Sequence, residues 1–172
     1  MKRIIRIAII LLLPLFVLIQ PGCKVSYTFT GASISPETKT FSVQLFQNLA
    51  GIVNPTLSSY LTEELKNRFI TQTSLSMVDD FGDFAFSGQI TQYNVSPISI
   101  QDNEVAAQNR LTISVRVKFV NAKDPKLSFD KTFSQYENFD SNQNFVQVEA
   151  ELVRLIVEKL VDDIFNAAAA NW

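Results

Sequence analysis

Carboxylates are the first side chains of this sequence whose types and spacing could do chemistry. The segment Asp79-Asp80-Phe81-Gly82-Asp83 places three of them within five residues, and carboxylate oxygens are ligands that calcium prefers. Aspartate and glycine are also common in surface turns, where Gly82 would supply a positive φ. We expect a turn here, and a polar loop tip at Asp102-Asn103-Glu104. The sequence therefore predicts no metal site and no cofactor.

Nucleophilic catalysis lacks its usual residues in this chain. The 172 residues include no histidine, which excludes Ser-His-Asp and Cys-His nucleophiles and histidine-ligated metals. The five glycines are too far apart to form a phosphate-binding or dinucleotide-binding loop. A serine–lysine pair stays open, because the fold could bring two such residues together, although no spacing points to one. We predict that the protein has no catalytic residue and is not an enzyme.

The first 22 residues have the layout of a secretory signal peptide. They open with three basic residues and no acidic ones, continue as an apolar run from Ile7 to Ile19 and end on Gly22. The run has 13 residues and contains Pro14, whereas a helix needs about 20 apolar residues to cross a membrane. A short buried helix is the alternative, but such a helix rarely opens a chain with three positive charges. We predict a signal peptide over residues 1–22.

Cys23 is the only cysteine, so it cannot form a disulfide within the chain. A lone thiol in an exported protein is free, bridged to another chain or modified. Its position directly after the signal peptide and Gly22 resembles a bacterial lipobox, although Gln20 and Pro21 depart from that pattern. The resemblance implies a Cys23 that carries several acyl chains, which together attach a protein stably to a membrane. We predict lipidation at Cys23 and a lipidated tether over residues 23–39.

The charge of the mature chain argues against nucleic acid as a partner. Removing residues 1–22 takes away three basic residues and leaves all 17 acidic ones, so the net charge falls from −2 to −5. An acidic surface would repel the phosphates of DNA or RNA. One basic cluster, Arg110, Arg116 and Lys118, remains on a predicted strand. It is either a solvated strand edge or a contact for an anionic ligand.

Four segments alternate apolar and polar residues with a period of two, which is typical of strands with one buried face. The four predicted strands are Thr40–Phe46, Asp83–Val95, Leu111–Phe119 and Leu127–Tyr136. In this interpretation Leu45 and Leu127 belong to the buried face. Because each strand has one apolar face, we expect a mostly antiparallel sheet that is covered on one side.

Two further segments have the helical period. The apolar stripe of the first consists of Leu57, Leu61, Leu65 and Phe69. It follows Asn54, which we predict as the N-cap, and Pro55, which we predict as the first helical residue. The second runs from about Asn144 to Ala169, with Asp140 or Ser141 as its N-cap. The order β-α-β-β-β-α predicts a two-layer α+β sandwich, with both helices on one face of a four-stranded sheet. This single domain would span residues 40–172.

The opposite face of the predicted sheet is rich in hydroxyl groups and poor in charge. By alternation it would present, among others, Ser87, Gln89, Thr91, Tyr93, Thr112, Ser114, Thr132, Ser134 and Tyr136. Serine and threonine are common in strands, so an ordinary solvated sheet is the simpler interpretation. The alternative is a surface that packs against another polar wall, where charges would be costly to desolvate.

Taken together, several stretches resemble the LptE family of lipopolysaccharide-assembly lipoproteins. In chain order they are residues 27–34, 39–43, 53–57, 61–63, 73–75, 103–107, 109–113 and 133–140, followed by a long segment that ends at Trp172. No single stretch is diagnostic, but their order and spacing cover nearly the whole mature chain. The sequence is therefore similar to this family as a whole.

The resemblance implies a lipid-anchored protein on the periplasmic side of the outer membrane. It would plug the LptD β-barrel, assist assembly of that barrel and contact lipopolysaccharide on its way to the cell surface. No family residue for lipopolysaccharide contact matches a motif here, so Arg110, Arg116 and Lys118 are candidates from charge alone, as partners for lipid A phosphates. The alternatives are a lipoprotein chaperone or pilotin for another outer-membrane assembly, and a periplasmic lipoprotein enzyme.

Overall fold

The fold was obtained as a computed structural model, which describes residues 34–52, 54–98 and 108–169. The predicted signal peptide, Cys23 and Asp102-Asn103-Glu104 lie outside these residues. The described elements are β1 (Thr40–Val43), β2 (Gln47–Asn48), α1 (Leu57–Gln72), β3 (Ser76–Met77), β4 (Phe84–Ile98), β5 (Gln108–Asn121), a 3-10 turn (Pro125–Leu127), β6 (Phe129–Asp140) and α2 (Phe145–Ala169).

The sheet has six strands in the order β3-β1-β4-β5-β6, with β2 paired to β4. β1 is parallel to both β3 and β4, and β2 is parallel to β4, whereas β4, β5 and β6 are antiparallel. The predicted four-stranded, mostly antiparallel sheet and its element order are therefore wrong. Alternation reports which face a residue occupies but not strand direction, and a two-residue strand has no period to detect. The crossover through α1 is what makes β1 and β4 parallel.

A cluster of aromatic rings joins both helices to one face of the sheet. The ring centroid of Phe69 in α1 lies 5.4 Å from that of Phe41, 4.9 Å from that of Phe86 and 5.0 Å from that of Phe165 in α2. All four residues of the predicted α1 stripe are 0 % exposed. The predicted two-layer α+β arrangement is confirmed at this level, because the helices share one core with the inward side of the sheet.

Local side-chain hydrogen bonds set the starts of the helices. The Asn54 side-chain oxygen accepts from the backbone N–H groups of Thr56 and Leu57 at 3.1 and 3.2 Å and so fixes the turn that leads into α1. The N-cap is Thr56 and not Asn54 as predicted, and Pro55 stays outside the helix. Asn144 does the same for α2, since its side chain accepts from the Val146 N–H at 3.0 Å. The two predicted α2 caps do not cap the helix, because Asp140 is the last residue of β6 and Ser141 lies in the turn that follows it.

Two leucines that alternation assigned to the core lie on the surface. Leu45 is 61 % exposed, because β1 ends at Val43 and the chain turns so that Phe46 is buried instead. Leu127 is 44 % exposed and belongs to the 3-10 turn, so β6 begins two residues later than predicted. Both residues lie outside a strand, one after β1 and the other before β6, so alternation does not apply to them.

A bulge in β4 moves Tyr93 from the predicted outward face into the core. Ile90 pairs with Val115 and Gln92 pairs with Ser114, which leaves Thr91 as an extra residue. Tyr93 is 5 % exposed, and its hydroxyl donates to Glu149 Oε1 at 2.5 Å. Burial and this hydrogen bond raise the pKa of Tyr93 above its ordinary value. The bulge thereby allows Tyr93 to connect β4 to α2.

Candidate functional site

The face of the sheet opposite the helices, hereafter the outer face, presents mostly neutral polar side chains. Its residues include Ser87, Gln89, Gln92, Asn94, Arg110, Thr112, Ser114, Arg116, Lys118, Asp130, Thr132, Ser134 and Tyr136. Ser114 lies at the centre and connects three strands, since its Oγ is 3.0 Å from Gln92 Oε1 and 2.9 Å from Ser134 Oγ. The polar surface predicted by alternation is therefore present, with Gln92 and Asn94 at the places predicted for Thr91 and Tyr93.

Arg116 on the outer face is paired with an acidic partner that sequence analysis missed. Its Nε and Nη2 donate to the two carboxylate oxygens of Asp130 at 2.8 and 2.9 Å. The hydrogen bond from Arg116 holds the pKa of Asp130 below its usual value. Lys118 stands opposite Asp130 in the β5–β6 register. This part of the surface thus carries two cations and one anion, which only the strand register could reveal.

Arg110 is separate from the other two predicted basic residues. Its Nε donates to Asn138 Oδ1 at 2.9 Å, and its guanidinium carbon lies 3.8 Å from the centre of the Tyr136 ring. Six residues along a strand separate it from Arg116, which is about 20 Å. The predicted cluster of three therefore divides into two places on the same face.

The acidic segment forms a tight turn held by Asp83. Oδ2 of Asp83 accepts from the backbone N–H groups of Lys39 and Thr40 at 2.8 and 3.1 Å, and Oδ1 is 3.1 Å from Lys123 Nζ. The positive φ lies at Phe81, at 56°, and not at Gly82 as predicted. Gly82 is required for a different reason, since an added Cβ would come within 2.5 Å of the Phe41 carbonyl carbon. Within the described ranges no three acidic residues are arranged to hold a metal ion.

Stability at acidic pH depends on Asp83. The backbone N–H of Lys39, the side-chain ammonium of Lys123 and the hydrogen bonds from Thr40 together lower the pKa of Asp83 to about 2, from 3.8. A carboxylate with a lowered pKa in the folded state contributes stability above about pH 4, and that contribution is lost as the pH falls towards 2. Asp83→Asn is therefore expected to flatten the decline of the unfolding free energy between pH 4 and pH 2, measured by urea titration.

The neighbouring aspartate provides the control for that measurement. Asp80 is exposed, and its carboxylate makes no hydrogen bond to other described residues, so Asp80→Asn should keep the wild-type slope. If Asp83→Asn also keeps the wild-type slope, the contacts to Lys39, Thr40 and Lys123 do not set the acid sensitivity.

A protein-family model matches most of the described part of the chain. The model named LptE, lipopolysaccharide-assembly, matches residues 38–168. No curated protein matches the sequence. None of the described helices combines the length and apolar character needed to cross a membrane.

Several solved structures are similar in fold at low sequence identity. A hypothetical protein from Chlamydia trachomatis is 8 % identical, with a TM-score of 0.52 over 78 % of this chain and 99 % of that one. A Xanthomonas campestris protein is 12 % identical, with a TM-score of 0.50 over 79 % and 91 %. A minor lipoprotein from Acinetobacter baumannii is 16 % identical, with a TM-score of 0.49 over 76 % and 94 %. The match of the family model over most of the described residues shows that this chain belongs to the LptE lipopolysaccharide-assembly family.

Proposed function

We propose that this protein is an outer-membrane lipoprotein, anchored on the periplasmic side through Cys23, that plugs an LptD-like β-barrel and assists its assembly. In this role it serves lipopolysaccharide transport to the cell surface and catalyses no reaction. Membership of the LptE family supports the general role in lipopolysaccharide assembly. The barrel, the anchor and the leaflet are the parts that we propose.

The outer face is the observation that carries the proposal. The lumen of a large outer-membrane barrel is polar, and a surface that enters it must match a polar wall. Most outer-face residues offer hydroxyl or amide groups, and the charge of Arg116 is paired with Asp130 on the same face. The neutral part of this surface costs less to remove from water than unpaired charges would, and its two further cations, Lys118 and Arg110, are assigned below to phosphates. The face is therefore suited to pack against the inside of a barrel.

The proposed contacts to lipopolysaccharide are Arg110, Arg116 and Lys118. Guanidinium and ammonium groups pair well with the phosphates of lipid A. Arg116 and Lys118 share one place beside Asp130, whereas Arg110 lies on the Tyr136 ring. We therefore expect two separate phosphate contacts along β5 instead of a single site.

Co-purification of the barrel tests the proposal. The wild-type protein should recover LptD in near-equal amounts, and Asn94→Arg should reduce that recovery by about tenfold or more, because an unpaired charge is desolvated against the barrel wall. Asn94 is an exposed residue of the outer face opposite Thr112. The matched control is Asn67→Arg, at an exposed position of α1 on the other side of the molecule.

The outcomes separate the competing functions. Recovery of another barrel or of a secretin would support a chaperone or pilotin with a different client. An equal loss with Asn67→Arg would mean that the outer face has no special role. Depletion of the protein should stop lipopolysaccharide from reaching the cell surface, and normal delivery without it would contradict the transport role.

A further inference from the structure

The chain enters the domain at one end of the sheet, which we call the tether end. Lys39 and Asp83 are joined there by the hydrogen bond at 2.8 Å, and the Ala122 N–H donates to the Asp83 carbonyl at 2.8 Å. One cleft at this end is lined by Ile34, Leu127 and Ala169, so the last part of the predicted tether meets the end of α2. The tether end is thus defined by contacts among described residues.

Phe81 projects from the tether end with its side chain almost entirely in solvent. It is 99 % exposed, and its φ of 56° is a conformation that bulky residues rarely adopt. Gly82 is pressed against the backbone of Phe41 and Ser42, which fixes the turn that holds Phe81 outward. An aromatic side chain held in an unfavourable backbone conformation, with no packing in return, indicates a role outside the domain core.

Two further apolar side chains lie at the same end. Val120 is 41 % exposed and lines a shallow groove with Phe81, and Leu127 is 44 % exposed beside Lys123. Lys123 and Lys126 stand among the acidic residues Asp79, Asp80 and Asp124, all five of them exposed. Charges of both signs occur together, so this end suits a neutral headgroup layer better than a strongly anionic one.

The length of the tether decides which end of the domain can reach the membrane. Eleven residues lead from Cys23 to Ile34 and span at most about 38 Å when fully extended. β4 has 15 residues, so the far end of the sheet lies about 48 Å from the tether end. A lipid at Cys23 therefore allows the tether end to touch the bilayer and keeps the far end away from it.

We propose that Phe81 inserts into the interfacial layer of the bilayer that holds the lipid anchor and thereby fixes the orientation of the domain. The proposal rests on the anchor at Cys23 that forms part of the proposed function. Aromatic rings are favoured at the depth of lipid headgroups, where an apolar group is partly removed from water. With Phe81 inserted, the tether end of the domain is held at the level of the lipid headgroups.

Fluorescence quenching by brominated lipids tests this placement. Phe81→Trp is introduced into the full chain, and the acylated protein is reconstituted in vesicles of phosphatidylcholine with brominated acyl chains. The signal of the unmodified chain, which contains Trp172, is subtracted. Quenching of the added tryptophan at position 81 should exceed that at the control position by at least about twofold, because only the former lies in the bilayer interface, within reach of the brominated chains. The control is Val146→Trp, 77 % exposed at the start of α2.

Each result decides a separate point. Equal quenching at positions 81 and 146 overturns the proposal, and so does a tryptophan at 81 that is shielded only in the purified complex with a barrel. If Phe81→Trp fails to fold, Leu127→Trp at the same end must show the excess quenching instead. Palmitate labelling of the same sample, compared with Cys23→Ala, tests the anchor: no label contradicts the proposed function, whereas label without quenching contradicts only the insertion of Phe81.

Discussion

Gly88→Ala is expected to lower the free energy of unfolding by about 3 kcal/mol, because the new methyl group has no space. Gly88 faces the core in β4, directly opposite Val117. A Cβ at this position would lie 2.7 Å from Cε1 of the Phe46 ring and would collide with the backbone carbonyl of Arg116. Phe46 is 0 % exposed and cannot move away without opening the core. Urea unfolding monitored by circular dichroism measures the loss.

The matched control adds the same methyl group where space is available. A Cβ on Gly51 has no atom within 4 Å, and the residue is exposed, so Gly51→Ala should change stability by no more than about 0.5 kcal/mol. Equal effects at the two positions would show that β4 and Phe46 adapt to the added volume.

Phe69→Ala is expected to cost about 3–5 kcal/mol, the usual range for a fully buried phenylalanine. Its ring contacts Phe41 and Phe86 in the sheet and Phe165 in α2. Truncation leaves a cavity at the point where both helices and the sheet meet, so the loss includes contacts on three elements. Thermal and urea unfolding should both report the decrease.

The next residue in the helix supplies the comparison for that truncation. Ile70 is 51 % exposed, and Ile70→Ala should cost less than about 1 kcal/mol because little apolar surface leaves the core. If Phe69→Ala costs no more than Ile70→Ala, the surrounding rings close the cavity and the aromatic cluster is not the centre of the core.

The two helices and the long strands could be predicted because each has many residues in phase. The α1 stripe from Leu57 to Phe69 repeats every fourth residue, and all of its members are buried. The alternation in β5 from Leu111 to Phe119 is likewise matched by burial on the side of the helices. A pattern of this length arises where one side of an element stays buried over its whole length, so the element can be predicted from the sequence alone.

The missed features depend on contacts between distant parts of the chain. β2 and β3 have two residues each and exist only because β4 and β1 lie beside them. The pairing of Arg116 with Asp130 depends on the β5–β6 register, which cannot be predicted from the sequence. The positive φ at Phe81, and not at Gly82, follows from the close approach of Gly82 to Phe41. Local patterns contain no information about these neighbours.

The extra residue Thr91 in β4 decides where the sheet tolerates a change in length. Removing one residue between Phe84 and Ile90 while the bulge is kept would turn every following side chain to the opposite face, placing Asn94 in the core and Tyr93 in water. Loss of Thr91 itself would leave Ile90 and Tyr93 facing inward, because the strand would then alternate without interruption. Related chains whose strand is one residue shorter should therefore lack the residue at position 91. Their hydroxyl-rich surface after that position would stay on the same face.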